Sequence, residues 1–194
     1  MAEFHFTDTI PHPLEACYEA MRDHMCEFTP YLHDVKEIKL LERREVAPGR
    51  HYLVNLWVSS YEPPALIRRF VTPEMLRWRD IVTWDDETRS WQWRFESPAF
   101  SEVVCCEGTN SMRALGEAAT EITLAGRLDI LVEKLPGVPS FIGRSVRPQV
   151  ERFILGLVEP RLRGIDEGLA RYLSAVAASA KGPGQAAGTP APAA

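Results

Sequence analysis

The chain has 194 residues, 45% of them hydrophobic, and a formal net charge of −5. That length closes a real core within one domain, and the mild acidity speaks against a nucleic-acid protein, which carries a basic face. No apolar run suits a membrane helix and no charged-then-apolar leader stands at the N-terminus, so a cytoplasmic protein is expected, and the 18 Arg against 4 Lys fit a GC-rich bacterial genome.

Alternation predicts a strand over Glu3–Ile10, with Phe4 and Phe6 on one face. Pro11 and Pro13 end it, and Leu14, Cys17, Tyr18, Met21 and Met25 have helical spacing over Leu14–His24. A short turn or helix follows over Glu27–His33. Val35–Val46 and His51–Tyr61 then read as a hairpin about Pro48-Gly49, with Tyr52, Val54, Leu56 and Val58 sharing one face of its second strand. Ala65–Val71, introduced by Pro63-Pro64, carries large apolar side chains yet is too short to stand alone as a helix. Met75–Trp84 and Arg89–Glu96 form the clearest hairpin, around Asp85-Asp86-Glu87. Its aromatic cross-strand pairs are each worth roughly 0.2–1 kcal/mol. Glu102–Leu115 and Ala119–Lys134 give a last pair, in which Ile122, Leu124, Leu128, Ile130 and Val132 face one way and Glu121, Thr123, Arg127 and Asp129 the other.

A Pro/Gly-rich loop with Leu135, Val138, Phe141 and Ile142 leads into a helix over 144–178, marked by Val146, Val150, Phe153, Ile154, Leu157, Ile165, Leu169, Tyr172 and Val176. Its roughly 50 Å matches the last strand, so a twisted sheet curls around it and leaves a hollow where the ends diverge. Gly156, Pro160, Gly164 and Gly168 mark either a kink with close backbone packing or a thinned pocket wall. Residues 181–194, rich in Gly, Pro and Ala, form a disordered tail after a domain of residues 1–180.

Chemistry is sparse. Cys17, Cys26, Cys105 and Cys106 lack metal spacing and read as reduced thiols packed as small apolar side chains. The five histidines form no zinc motif, and no nucleophile elbow, phosphate loop or dinucleotide fingerprint occurs, so no catalytic residue, metal or cofactor is expected. Glu107 and Asp129 are strand carboxylates that could serve as an acid/base pair, but their parity puts them on the wet face. Trp78, Trp84, Trp91 and Trp93 either form core or stack on a ligand ring. Arg77, Arg79 and Arg94, opposite them, are surface charges or a seat for an anionic headgroup.

The element order, with Pro-Pro-Ala-Leu-Ile-Arg-Arg-Phe-Val at 63–71 and Leu-Pro-Gly-Val-Pro before the last helix, resembles the START-like (SRPBCC, Bet v 1-like, helix-grip) superfamily over positions 3 to about 178. Within it the chain looks most like the bacterial DUF2505 type, and more distantly like PRELI lipid-transfer proteins. The resemblance implies an α+β fold, a curved antiparallel sheet of about seven strands around a long C-terminal helix, and a deep pocket for an apolar molecule. Some members are cyclases or hydrolases and many only bind or carry, which fold alone does not decide.

The expected function is therefore binding or transport of a hydrophobic, lipid-like molecule. Leu56, Trp78, Trp93, Val104, Cys106, Leu124, Phe153, Leu157 and Leu169 would line the pocket. The alternatives are an aromatase- or cyclase-like enzyme, which needs a titratable side chain inside the pocket, and a protein-interaction module. Leu66, Ile67, Arg68, Arg69, Phe70, Phe141 and Ile142 either gate the pocket and touch a membrane surface transiently, or plug the sheet's open end as core.

Overall fold

The computed structural model describes residues 2–62, 73–99, 102–131, 148 and 162–180. In chain order these form β1 (Ala2–Ile10), α1 (Leu14–Asp23), a 3-10 helix (Met25–Tyr31), β2 (Val35–Ala47), β3 (Arg50–Ser59), a second 3-10 turn (Pro73–Leu76), β4 (Arg77–Asp85), β5 (Ser90–Glu96), β6 (Val104–Ala114) and β7 (Thr120–Ile130). Helix α2 covers 162–180. The expected helix over 144–178 is thus described only in its second half, and Gly156 and Pro160 lie outside the described residues. Leu76, expected at the head of a strand, instead ends the 3-10 turn.

One antiparallel sheet runs β1-β7-β6-β5-β4-β3-β2, so the first two strands form its opposite edges and α1 with its 3-10 extension connects them. The tight turns follow from local chemistry. Gly49, in the β2–β3 turn, has φ +67, a left-handed conformation that glycine adopts without steric cost. In the β4–β5 turn the Asp85 carboxylate accepts the backbone N–H groups of Glu87 (3.1 Å) and Thr88 (3.2 Å).

One face of the sheet is closed. Phe4, Phe6 and Ile10 of β1, Val82 and Trp84 of β4, Trp91 and Trp93 of β5, Cys106 and Met112 of β6, and Ile122, Leu124, Leu128 and Ile130 of β7 share a core with Cys17, Tyr18 and Met21 of α1. From α2 come Leu162, Leu169 and Tyr172, spaced so that one helical stripe faces the core. Val176, expected on that stripe, is 47% exposed, so the helix runs on past the core. Close helix packing explains Gly168, where a Cβ would lie 2.5 Å from the Leu32 side chain, whereas Gly164 has open space.

Polar contacts fasten the helices to the sheet. Asp86, in the β4–β5 turn, accepts from Tyr18 (3.1 Å) and Arg22 (2.6 Å) of α1 and pairs with His51 of β3 (3.0 Å). Tyr172 of α2 donates to Glu27 (2.7 Å), and His12 lies 3.0 Å from Ser174. These histidines are structural. The cysteines depart in part from expectation: all four are free thiols, but only Cys17 and Cys106 are buried, while Cys26 and Cys105 are exposed.

Candidate functional site

The face of β3 that meets the core is not the expected one. Leu53, Asn55 and Trp57 point inward, and Trp57 stacks on Trp78 (5.8 Å between centroids, 18°). Leu56 therefore belongs to the outer face, opposite Arg79, and leaves the set of expected pocket residues. The cause lies in β3 itself: apolar side chains occur on both of its faces, and the inner face is interrupted by a polar residue.

That residue has a partner. Asn55 pairs in register with Asp80 of β4, and Asp80 with Phe95 of β5. The same inner row continues through Cys106 of β6 and Leu128 of β7. Asn55 and Asp80 are 5% and 6% exposed, so an amide and a carboxyl lie side by side on the largely apolar inner face. Burial pushes the Asp80 carboxyl up to about 7, while the Asn55 amide and the Trp57 indole pull it back toward the ionised form. The Trp57 indole nitrogen is itself buried, with no hydrogen-bond partner of good geometry among the described residues.

Rings surround this pair. Beyond the Trp57–Trp78 stack, Trp78 meets Phe95 (6.5 Å), Phe95 meets Trp93 (4.8 Å), and Trp93 meets Phe4 (6.3 Å). At the Trp93–Phe4 end the rings lie close over the sheet because two strands carry no side chain between them. Trp93, Gly108, Gly126 and Phe4 form one cross-strand row. A Cβ on Gly108 would lie 2.6 Å from the Trp93 ring, and one on Gly126 2.5 Å from Phe4. The Trp93 indole is held by a buried 2.8 Å hydrogen bond to the Asn110 side chain. Trp78, Phe95 and Val104, although on the inner face, are only half-buried, so that end of the belt keeps accessible surface.

Of the expected pocket residues, Trp78, Trp93, Val104, Cys106 and Leu124 lie on the inner face, and Leu169 is fully buried on α2. Phe153 and Leu157 lie outside the described residues, as do Leu66, Ile67, Arg68, Arg69, Phe70, Phe141 and Ile142. Sequence reasoning passed over Asp80, Asn55 and Trp57. The signal for Asp80 was available, since it shares the parity of Trp78, Val82 and Trp84.

Chemically, a buried carboxyl titrating near neutrality can donate or accept a proton, and Asn55 offers both a donor and an acceptor. Cys106, in the same row, is pushed up to about 12 by burial and by the neighbouring Cys105 and Glu107, so its thiol stays protonated and unreactive. A second buried carboxyl, Asp166 of α2, is raised by burial and by Asp8, against Arg163. Arg163 bonds Asp8 at 2.8 and 2.9 Å, which places this cluster by β1, at the other edge of the sheet. Among the described residues no group of side chains could hold a metal ion.

The outer face holds an open hollow of about 940 Å3 lined by His5, Thr83, Gln92, Arg94, Thr109 and Arg127 among others. Its cations are already paired, Arg94 with Glu96 and Arg127 with Glu107, and it is broadly open to solvent. Glu107 is thus a wet-face side chain, as its parity implied.

The seven-stranded curved antiparallel sheet, the short helices and the C-terminal helix constitute the Bet v 1-like, helix-grip α+β fold. In structure the chain is similar to the Zhui aromatase/cyclase from Streptomyces sp. R1128, at 12% identity and a TM-score of 0.63, covering 93% of this chain and 98% of that one. It is also similar to a protein from Thermus thermophilus (24% identity, TM-score 0.55, 92% and 99% covered). Norcoclaurine synthase from Thalictrum flavum, solved with dopamine and hydroxybenzaldehyde, matches at 9% identity and a TM-score of 0.53, with 90% and 87% covered. At these identities the likeness is one of fold. No family model matches the sequence, and no curated protein matches it. Among the described residues no helix is long and apolar enough to cross a membrane.

Proposed function

We propose that the protein binds a hydrophobic small molecule between the inner face of its sheet and its C-terminal helix. The observation that carries this reading is the aromatic belt of Trp57, Trp78, Phe95 and Trp93, half-buried at Trp78 and Phe95, around the Asn55–Asp80 pair. An apolar ligand gains from the rings, and the buried amide and carboxyl orient whatever polar group it carries. The fold supports the reading, since two similar structures are an aromatase/cyclase and a synthase solved with aromatic molecules.

The finer proposals rest on the sequence. The ligand is lipid-like or polyketide-like, and the segments 65–71 and 135–142 gate its entry, with Arg68 and Arg69 favouring a transient contact with an anionic membrane from the cytoplasmic side. The likeness to the DUF2505 type rests on the element order together with the segments at 63–71 and 135–139, and that to PRELI proteins on the Pro-led, Arg-containing segment at 63–71.

Organic extraction and native mass spectrometry of the purified chain should reveal an apolar molecule, and an anilinonaphthalene sulfonate dye should bind the stripped protein. W78A should weaken dye binding by roughly tenfold, the loss of one buried aromatic contact of about 1.4 kcal/mol. No extracted molecule together with no dye binding refutes the reading.

A second reading, catalysis of the cyclase type, is favoured by one observation: Asp80 supplies a titratable carboxyl inside the belt. Binding unchanged but turnover abolished in D80N would select it, once a substrate is in hand.

A further inference from the structure

We propose that the free edge of β2 is a self-association surface, which takes the β2 of a second copy of this chain, antiparallel, with Leu40 opposite Leu41. Strand β2 ends the sheet, and its outer edge carries Leu40, Leu41 and Val46 at 41%, 46% and 50% exposure. Such an edge presents unpaired backbone groups and invites another strand. Natural edges are usually blunted by charges. Here the charges are arranged so that the same edge, turned around, accepts them, in exchange for the exposed 3.2 Å pair that Glu42 and Arg44 make within the strand.

Residues 36–45 read Lys-Glu-Ile-Lys-Leu-Leu-Glu-Arg-Arg-Glu. Folded back on itself about the Leu40–Leu41 bond, this segment sets Lys39 against Glu42 and Glu37 against Arg44 of the other copy. Each of these is an opposite-charge pair, and the two leucines meet at the centre. Sliding the register by two residues destroys the match, because Lys39 then faces Arg44 in one direction and Glu37 faces Glu42 in the other. Like charges directly opposite are destabilising, so one register is selected.

Facing is the stricter test. A two-fold axis normal to a sheet leaves each side chain on its own face, so residues opposite each other must share a face. In a regular strand residues 39 and 42 do not. In β2 the pairing with β3 slips between Leu40 and Glu42, and this extra residue restores the match. Lys39 and Glu42 sit beside Leu56 and Val54, and Glu37 and Arg44 beside Val58 and Tyr52. All four of these β3 residues belong to the outer face, so Glu37, Lys39, Glu42 and Arg44 do as well. The irregularity at the centre of β2 is what makes the charge pattern usable by a two-fold pair.

The joined strands would run roughly 33 Å over ten residues. Exposed ion pairs are individually weak and screened by salt, so the dimer should be concentration- and salt-dependent. The test is sedimentation equilibrium of the full chain, from micromolar to submillimolar, at low and high salt. Wild type should dimerise at low salt. K39E and E42K each place like charges at two symmetry-related positions and should raise the dimer dissociation constant by roughly tenfold or more. The double variant K39E/E42K exchanges the two charges and should recover wild-type association. Because both side chains are exposed, the fold should survive, and circular dichroism checks it; if a single variant misfolds, the double variant and the salt series still decide. A chain monomeric at every concentration, a dimer indifferent to the single reversals, or a double variant that fails to recover would each overturn the proposal.

Discussion

Replacing Asp80 with Asn tests the physical account of the site without any ligand. Burial pushes the Asp80 carboxyl from the ordinary 3.8 to about 7, against the pull of Asn55 and Trp57. The folded chain therefore keeps a proton that the unfolded chain has already released. The corresponding stability is fully present below 3.8 and is lost as pH rises through about 7. Some three decades of pH at about 1.4 kcal/mol each give roughly 4 kcal/mol in all, of which about 3 kcal/mol falls between pH 5 and pH 8. Asn keeps the shape of the side chain and cannot ionise. Urea unfolding of ligand-stripped wild type and D80N should be compared at each pH across that window. The gap should move in favour of the variant by about 3 kcal/mol as pH rises, then level off above about 7. A gap that stays flat from pH 5 to 8 would refute the reasoning, because Asp80 would then ionise as it does in water.

Other substitutions probe the frame that holds the site. Asp86 is raised by burial but more strongly lowered by His51, Arg22 and Tyr18, so its net position is below 3.8. Its contribution is present above that value and is lost as pH falls through the lowered one. D86A should therefore cost about 2–3 kcal/mol near neutrality and less in acid, read by urea unfolding at the two pH values. G108A forces a methyl against the Ala125 carbonyl oxygen and the Trp93 ring and should lower stability by about 1–3 kcal/mol, with a changed near-ultraviolet circular dichroism spectrum. In native protein a thiol reagent should modify Cys26 and Cys105, and in denaturant all four cysteines; rapid native modification of Cys106 would contradict its burial.

Where the pattern of apolar and polar residues is clean, the sequence reads directly into structure. The alternation of Phe4 and Phe6, the Trp-rich hairpin, and the run from Ile122 to Ile130 predict both their strands and their inward faces. The strand that failed was β3, and it failed in its facing, not its extent. Tyr52, Val54, Leu56 and Val58 make an apolar set as convincing as Leu53 and Trp57, because the second set is broken by Asn55. Nothing local tells the two apart. What decides is the neighbour: Asn55 is registered with Asp80, which itself interrupts Trp78, Val82 and Trp84. Two polar residues that each look like an error in an apolar face prove to be a pair, and departures from pattern of this kind mark sites. The cysteines show the other limit. Composition makes all four small apolar residues, yet Cys105 follows the parity of its strand and turns to solvent beside Glu107 and Arg127.

The missing side chains of Gly108 and Gly126 give the sheet a window. Behind it, Trp93 and Phe4 lie directly on bare backbone; in front of it is the hollow of the outer face, whose lining reaches Trp93 and Phe4 themselves. Here the wall between the interior and bulk solvent is a single peptide layer thick. Trp93 should consequently act as a two-sided sensor: its emission would shift when a guest settles against the belt, and also when something occupies the dent outside. A quencher confined to the exterior can tell the two events apart.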